Sequence, residues 1–205
     1  MNEQGPTGRE RRHARTRQAI LEIALELSNE SGLEELSLRE IARRADFSPA
    51  GLYRYFESKE DIVAALAADA TRLLTDHLNS VPTNLHPRER LIRLGLAYLT
   101  FAGENPAHFR LLFSDLPAGR SSLSEPVPAN SPYAILLDAV QEAIKSGDVV
   151  VPGGDDGAEA MAFAIWSLVH GMALLKQVHL RTFDANFDAI YRHALERMVG
   201  THGRT

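Results

Sequence analysis

Between Ser37 and Lys59 the chain reads SLREIARRADFSPAGLYRYFESK, and few folds accommodate such a string. Ser37 stands three residues before Glu40, the spacing at which a hydroxyl and a carboxylate each satisfy an orphan amide at a helix start. Leu38, Ile41, Ala42 and Ala45 then recur at helical spacing, for only about two turns. The run ends at Asp46-Phe47, before Ser48-Pro49. Serine can cap there and proline suits the first helical position, so a third short helix begins at once with Ala50 and runs to Phe56. Two short helices joined by a tight turn make a helix-turn-helix. Ahead of it, Ile20, Ile23, Ala24 and Leu27 repeat at helical spacing and Gly32 supplies a stop. A first helix is therefore predicted over Arg11–Ser31.

The rest of the chain is also helical by pattern. Ser58 caps a helix over Lys59–Asn79 whose stripe of Ile62, Val63, Leu66, Ala70, Leu73, Leu74 and Leu78 is wide enough for a connector touching two cores. Further helices are expected over Arg88–Gly103, Pro106–Phe113 and Tyr133–Ser146. Leu116–Pro132, rich in Pro, Ser and Gly, is the longest irregular piece, and poor order is expected there. Asp148-Val149-Val150-Val151 is the one β-like run. The last two helices, Asp156–Leu180 and Asp184–Val199, differ in kind. The final one is amphipathic, with Phe187, Ile190, Tyr191, Ala194 and Met198 facing one way. The one before it has no Asp, Glu, Lys or Arg from Met161 to Leu175. That run is short of the roughly 17–25 residues a membrane crossing needs and contains His170 and Gly171, so it reads as a buried helix. Being apolar nearly all round, it requires cover on more than one face. A second subunit supplies that cover most economically, through an intersubunit four-helix bundle made by the last two helices of each chain. The expected fold is all-α with about nine helices: residues 1–60 an N-terminal arm and three-helix domain, residues 61–205 a second helical domain.

Composition removes whole classes of chemistry. The 205 residues include no cysteine, which excludes disulfides, thiolate zinc sites, iron–sulfur clusters and cysteine nucleophiles. The eight histidines are scattered. No His-Glu-x-x-His occurs, Gly153-Gly154-Asp155-Asp156-Gly157 is neither a phosphate loop nor an EF-hand, and no Gly-x-Ser-x-Gly elbow exists. An enzyme is not expected, nor a cofactor or metal site. Met1–Gly8 lacks the apolar run of a secretory signal, and a cytoplasmic protein is expected. The net charge of −5 argues weakly against a nucleic-acid partner, but its distribution matters more. Arg9, Arg11, Arg12, Arg15 and Arg17 gather at the N-terminus and Arg39 and Arg43 on the second helix, while the acidic excess lies mostly after residue 60.

The string Ser37–Lys59 resembles the TetR family of transcriptional regulators, whose pattern has Ile-Ala, a turn, then Leu-Tyr-x-x-Phe and a Lys; the counterparts are Ile41-Ala42, Leu52-Tyr53, Phe56 and Lys59. The resemblance covers Arg11 to Ala65 by motif and the remainder by helix order. Two positions depart from the pattern. Asp46 stands where the family usually has Gly, and tolerates the left-handed conformation better than most residues. Tyr55 replaces the common His.

The resemblance implies a DNA-binding domain followed by an effector-binding and dimerisation domain. It also implies a homodimer on an inverted-repeat operator of double-stranded DNA, released by a small-molecule effector that shifts the fourth helix, and the wide apolar stripe of that helix places the contact near Leu66, Ala70 and Leu73. An activator, or a helical ligand-binding protein with vestigial DNA binding, remains open. Small Ser48, Pro49, Ala50 and Gly51 let the backbone approach base edges, Ala50 meeting a thymine methyl. Tyr53, Tyr55 and Lys59 suit phosphates, as do Arg39 and Arg43 on one face, and Arg39 also suits a bidentate contact to a guanine edge. Ser37 completes the DNA-binding set. Arg44 and Arg54 fit a solvated role equally well. The N-terminal arginines fit either a solvated tail or an arm along the backbone or minor groove. Trp166 and His170, four apart on one helix face, resemble the Trp…His-Gly motif of one C-terminal subgroup. With Tyr98, Phe101, His108, Phe109, Phe113 and Phe163 they are the candidate effector contacts.

Overall fold

A computed structural model describes residue 5 and residues 7–113, 127–151 and 155–200 of the chain. Most of Leu116–Pro132, and the Gly153-Gly154 break, lie outside the described residues. Nine helices and no strand occur among those described: α1 Gly8–Ser31, α2 Leu38–Arg44, α3 Pro49–Leu52, α4 Lys59–Asn79, α5 Pro87–Glu104, α6 Pro106–Leu112, α7 Pro132–Lys145, α8 Asp155–Val178 and α9 Phe187–Met198. The fold is all-α, as expected. Val149 is buried and Val150 is exposed, but they form no strand.

The chain divides into two compact units, one of residues 1–70 with 110–116, the other of 71–109 with 117–205. α4 contributes residues to both. In the first unit Ile20, Ala24 and Leu27 of α1 pack with Ile41 and Ala42 of α2, Leu52 and Phe56, and Ile62, Leu66 and Ala70 of α4. Leu111 of α6 joins this core, and the Arg110 guanidinium donates twice to Asn29 Oδ1 at 3.2 and 2.9 Å. α1 starts three residues earlier than its apolar stripe suggests. Thr7 and Glu10 form a capping box, with Thr7 N–H to Glu10 Oε2 at 2.6 Å and Glu10 N–H to Thr7 Oγ1 at 3.3 Å. The basic segment is therefore helical from Arg9 onward, ahead of the predicted start at Arg11.

In the second unit α5 packs against α7, α8 and α9. Leu91, Ile92, Leu94, Gly95, Tyr98, Leu99, Phe101 and Ala102 are all buried along it. α8 meets the unit with a row of small and β-branched residues, Ala158, Ala162, Ile165, Val169 and Ala173, at helical spacing. Its opposite side carries Phe163, Trp166, Leu174, Leu175 and Val178, all 40% exposed or more. The expected buried helix is thus buried on one face only. Gly157–Val178 is long and apolar enough to cross a membrane, with 28% of that window buried inside the chain.

α9 also sits differently from its predicted face. Leu195 and Val199 are fully buried, whereas Ile190 is 49% exposed. The contact line is set by Gly95 on α5: a Cβ there would lie 2.6 Å from a Leu195 methyl, so any larger residue forces the leucine to shift. Arg88 then donates to the carbonyls of Glu196 and Val199, at 3.2 and 3.4 Å, where the end of α9 leaves acceptors unpaired.

Candidate nucleic-acid interface

The helix-turn-helix is built by caps. Ser37 Oγ accepts the Glu40 N–H at 3.3 Å and opens α2. At the other end the Phe47 N–H reaches back to the Ala42 carbonyl at 2.8 Å while Asp46 takes φ 57°, the left-handed residue of a helix stop. Ser48 Oγ accepts the Gly51 N–H at 3.0 Å, and Pro49 occupies the first helical position. A Cβ at Gly51 would lie 3.1 Å from that same Ser48 oxygen and 3.4 Å from the Phe47 ring. Ser37, Ser48 and Gly51 thus have structural reasons to be where they are. α3 is shorter than expected, four residues, and continues to Phe56 as tightened turns: Tyr55 and Phe56 N–H both donate to the Leu52 carbonyl, at 2.9 and 3.2 Å. Leu52 and Phe56 are buried, which turns Pro49, Ala50, Tyr53 and Arg54 outward.

The charged groups differ in how they are held. Arg39 is exposed and has no partner among the described residues. Arg43 forks onto Glu40 at 2.9 and 2.5 Å, and Arg44 onto Glu30 at 2.9 and 2.6 Å. Each guanidinium holds its glutamate below the usual carboxylate range. Lys59 Nζ donates to the Glu34 carbonyl at 2.6 Å, which fastens the start of α4 to the α1–α2 loop and leaves two of its three N–H groups for another acceptor. Tyr55 is half-buried. Its ring stacks on His13 of α1, centroids 4.7 Å apart at 29°, and meets Phe47 edge-on at 5.9 Å. The sequence reading assigned His13 no role and offered Arg17 as a solvated or DNA-facing arginine, whereas its guanidinium lies 4.5 Å above the Phe56 ring. Both lie within the helix predicted from Arg11, and the signal for them was their place in line with Ile20, Ala24 and Leu27 at helical spacing.

In the second unit the structure gathers part of the predicted effector set. The Tyr98 hydroxyl lies 3.3 Å from His170 Nδ1, with the Trp166 indole beside it. Phe109 meets the Tyr98 ring edge-on at 6.2 Å and the His170 ring at 5.5 Å. Burial pushes the Tyr98 phenol up and the His170 imidazolium down, so both groups are neutral near pH 7. Phe101 is fully buried, against His77 at 5.5 Å rather than in this cluster. Phe163 is 61% exposed on the outer side of α8, and His108 is half-buried. Phe113 belongs to the first unit.

A cleft of about 580 Å³ lies instead between α5, α8 and α9, lined among others by Leu99, Thr100, Gln177, Phe187 and Tyr191. None of the eight predicted effector residues lines it. Gln177 Nε2 donates to the Ala102 carbonyl at 2.8 Å, while its buried Oε1 has no partner.

A capped helix-turn-helix in one unit and an all-helical second unit define a two-domain DNA-binding regulator. Residues 20–66 match the family model of bacterial regulatory proteins of the tetR family, and residues 91–198 that of the tetracyclin repressor-like C-terminal domain. The chain belongs to the TetR family, a transcription regulator with an N-terminal DNA-binding helix-turn-helix and a C-terminal ligand-binding domain.

Solved structures share the fold across nearly the whole length. A protein of unknown function from Rhodococcus sp. RHA1 is 25% identical with a TM-score of 0.71, over 90% of this chain and 93% of its own. The TetR family transcriptional regulator PfmR from Thermus thermophilus gives 21% and 0.66, over 90% and 99%. A TetR variant from Acinetobacter baumannii AYE in complex with minocycline gives 22% and 0.58, over 89% and 96%.

Proposed function

We propose that the protein is a homodimeric repressor that occupies an inverted-repeat operator and leaves it when a small molecule binds the second unit. The observation that carries the reading is the outward edge of α3. Two buried residues, Leu52 and Phe56, turn a small-residue surface of Pro49 and Ala50 outward with Tyr53 beside it, and such a surface fits the floor of a major groove. Arg39, Arg43, Tyr55 and Lys59 act on phosphates around it, and Ser37, Ser48 and Gly51 complete the approach. In this reading residues 1–60 bind DNA and residues 61–205 bind the effector and the second subunit. Two copies related by a two-fold axis place their recognition helices about 34–36 Å apart, one helical turn of DNA.

The dimer uses the outer side of α8 together with α9. Its exposed Phe163, Trp166, Leu174, Leu175 and Val178 form an apolar surface that a second copy covers, so the helix serves an interface and not a membrane. The Tyr98–His170–Phe109 cluster with Trp166 supplies an effector site its polar points within an apolar surround. Coupling runs through α4, the element shared by both units, and is reciprocal: DNA disfavours the effector as much as the effector disfavours DNA. A cytoplasmic location follows from a DNA partner.

The test is an anisotropy titration on inverted-repeat fragments from beside the protein's own gene. Tyr53→Ala with Lys59→Ala lowers affinity on every sequence and reduces the salt slope by about 1 per protomer for each phosphate no longer neutralised. An unchanged slope removes Lys59 from the phosphate contacts, and an unchanged affinity removes Tyr53 as well. Operator affinity that persists at saturating effector removes the induction mechanism.

A further inference from the structure

We infer that the opening turns of α1 form a fixed phosphate-binding rail beside the recognition helix, with Arg9 and Arg12 as its contacts and His13 as the residue that positions it. The inference rests on the DNA-binding reading above and gives a geometry to a basic segment that the sequence left as either a solvated tail or a DNA-contacting arm. Three observations lead to it. The Thr7–Glu10 capping box makes the chain helical from Gly8, so the arginines have fixed directions, and it turns the Glu10 carboxylate back onto the Thr7 amide. The stripe that α1 buries in the first unit, Leu27, Ala24 and Ile20, continues toward the N-terminus at the same spacing as Arg17, His13 and Arg9.

The third observation is what this continuation rests on. Arg17 lies over Phe56 at 4.5 Å, and His13 stacks on Tyr55 at 4.7 Å, the last two residues of the recognition segment. The stripe therefore runs past the core and onto Tyr55 and Phe56, the end of the recognition segment. Arg9, one turn beyond His13 on the same side, and Arg12, about a quarter-turn round, are both exposed. Arg11 and Arg15 stand about 160° from His13, on the far side. Arginines branching at set positions from a rigid helix that flanks a groove-reading segment suit the regularly spaced phosphates of duplex DNA, which position a protein without specifying sequence. His13 acts through Tyr55: its ring keeps the helix from swinging away and so keeps Arg9 and Arg12 in reach.

The geometry gives an internal control. Full-length protein is titrated onto a mixed-sequence duplex of about 30 base pairs at a series of salt concentrations, and log K is plotted against log salt. Arg9→Ala with Arg12→Ala lowers the slope by about 2 per protomer. Arg11→Ala with Arg15→Ala leaves it unchanged. His13→Ala loses part of the same slope and His13→Phe, which keeps a stacking ring, restores it. Equal slopes for the two arginine pairs overturn the rail, and a His13→Ala slope that matches wild type, or one that His13→Phe does not rescue, overturns the positioning role. If wild-type protein itself shows no salt-dependent binding, the DNA-binding reading fails and takes this inference with it. That outcome is distinct from a wild type that binds and arginine pairs that behave alike.

Discussion

Asp46 and Gly95 show how single backbone positions set this architecture. At φ 57°, Asp46 occupies a region that costs an ordinary L-residue about 1–2 kcal/mol, and its short side chain makes it one of the few that visit it routinely. Asp46→Val is expected to lower stability by about 1–2 kcal/mol and Asp46→Gly to leave it unchanged or raise it, read from urea midpoints. Gly95 is constrained from outside, by a Leu195 that is fully buried and has little room to retreat. Gly95→Ala is expected to cost about 1–3 kcal/mol by overpacking, with part recovered by adding Leu195→Ala, a coupling that a double-mutant cycle in thermal unfolding measures. These two residues differ in legibility. Asp46 could be read from the sequence because its conformation is local, set by where a helix must stop. Gly95 could not, because its neighbour is 100 residues away along the chain.

Among the elements, α4 carries a pH-dependent contact near its C-terminal end. His77 Nδ1 lies 2.8 Å from the Leu73 carbonyl and Nε2 lies 3.1 Å from a Glu104 oxygen, so both ring nitrogens face acceptors and the doubly protonated imidazolium satisfies both. Burial alone lowers its pKa, but the Leu73 carbonyl and the Glu104 carboxylate outweigh burial and raise it above the usual histidine value. A group whose folded pKa is raised contributes stability that is fully present below its unfolded value, near 6.5, and is lost as pH rises through the folded value. His77→Gln is therefore expected to lower the urea midpoint at about pH 5.5 more than at about pH 8.5, flattening the difference between them. Equal losses at the two pH values would refute the contact. The boundaries of α4 could be read in advance, since Ser58 and the apolar stripe both mark them. The contacting face of α9 could not. Several apolar residues lie around that helix, and which of them meets α5 depends on where α5 offers a glycine.

For the whole molecule, the outer side of α8 decides the assembly. Leu175→Glu places a charge in a surface that the proposed dimer buries, and is expected to yield a folded monomer by sedimentation at about micromolar concentration, with operator affinity reduced accordingly. A dimer that survives the substitution moves the interface elsewhere. The sequence established the order of the helices among the described residues, most of their boundaries, the turn at Asp46 and the resemblance to the TetR family, because caps, stops and 3.6-residue periodicity are local and repeat along the chain. The tertiary structure decided that Phe101 packs against His77, that Tyr98, Phe109, Trp166 and His170 meet, that α8 buries only its small-residue side, and that α1 reaches the recognition helix through His13. Each of these depends on which of several chemically equivalent faces turns toward a distant neighbour, and that choice is made by packing.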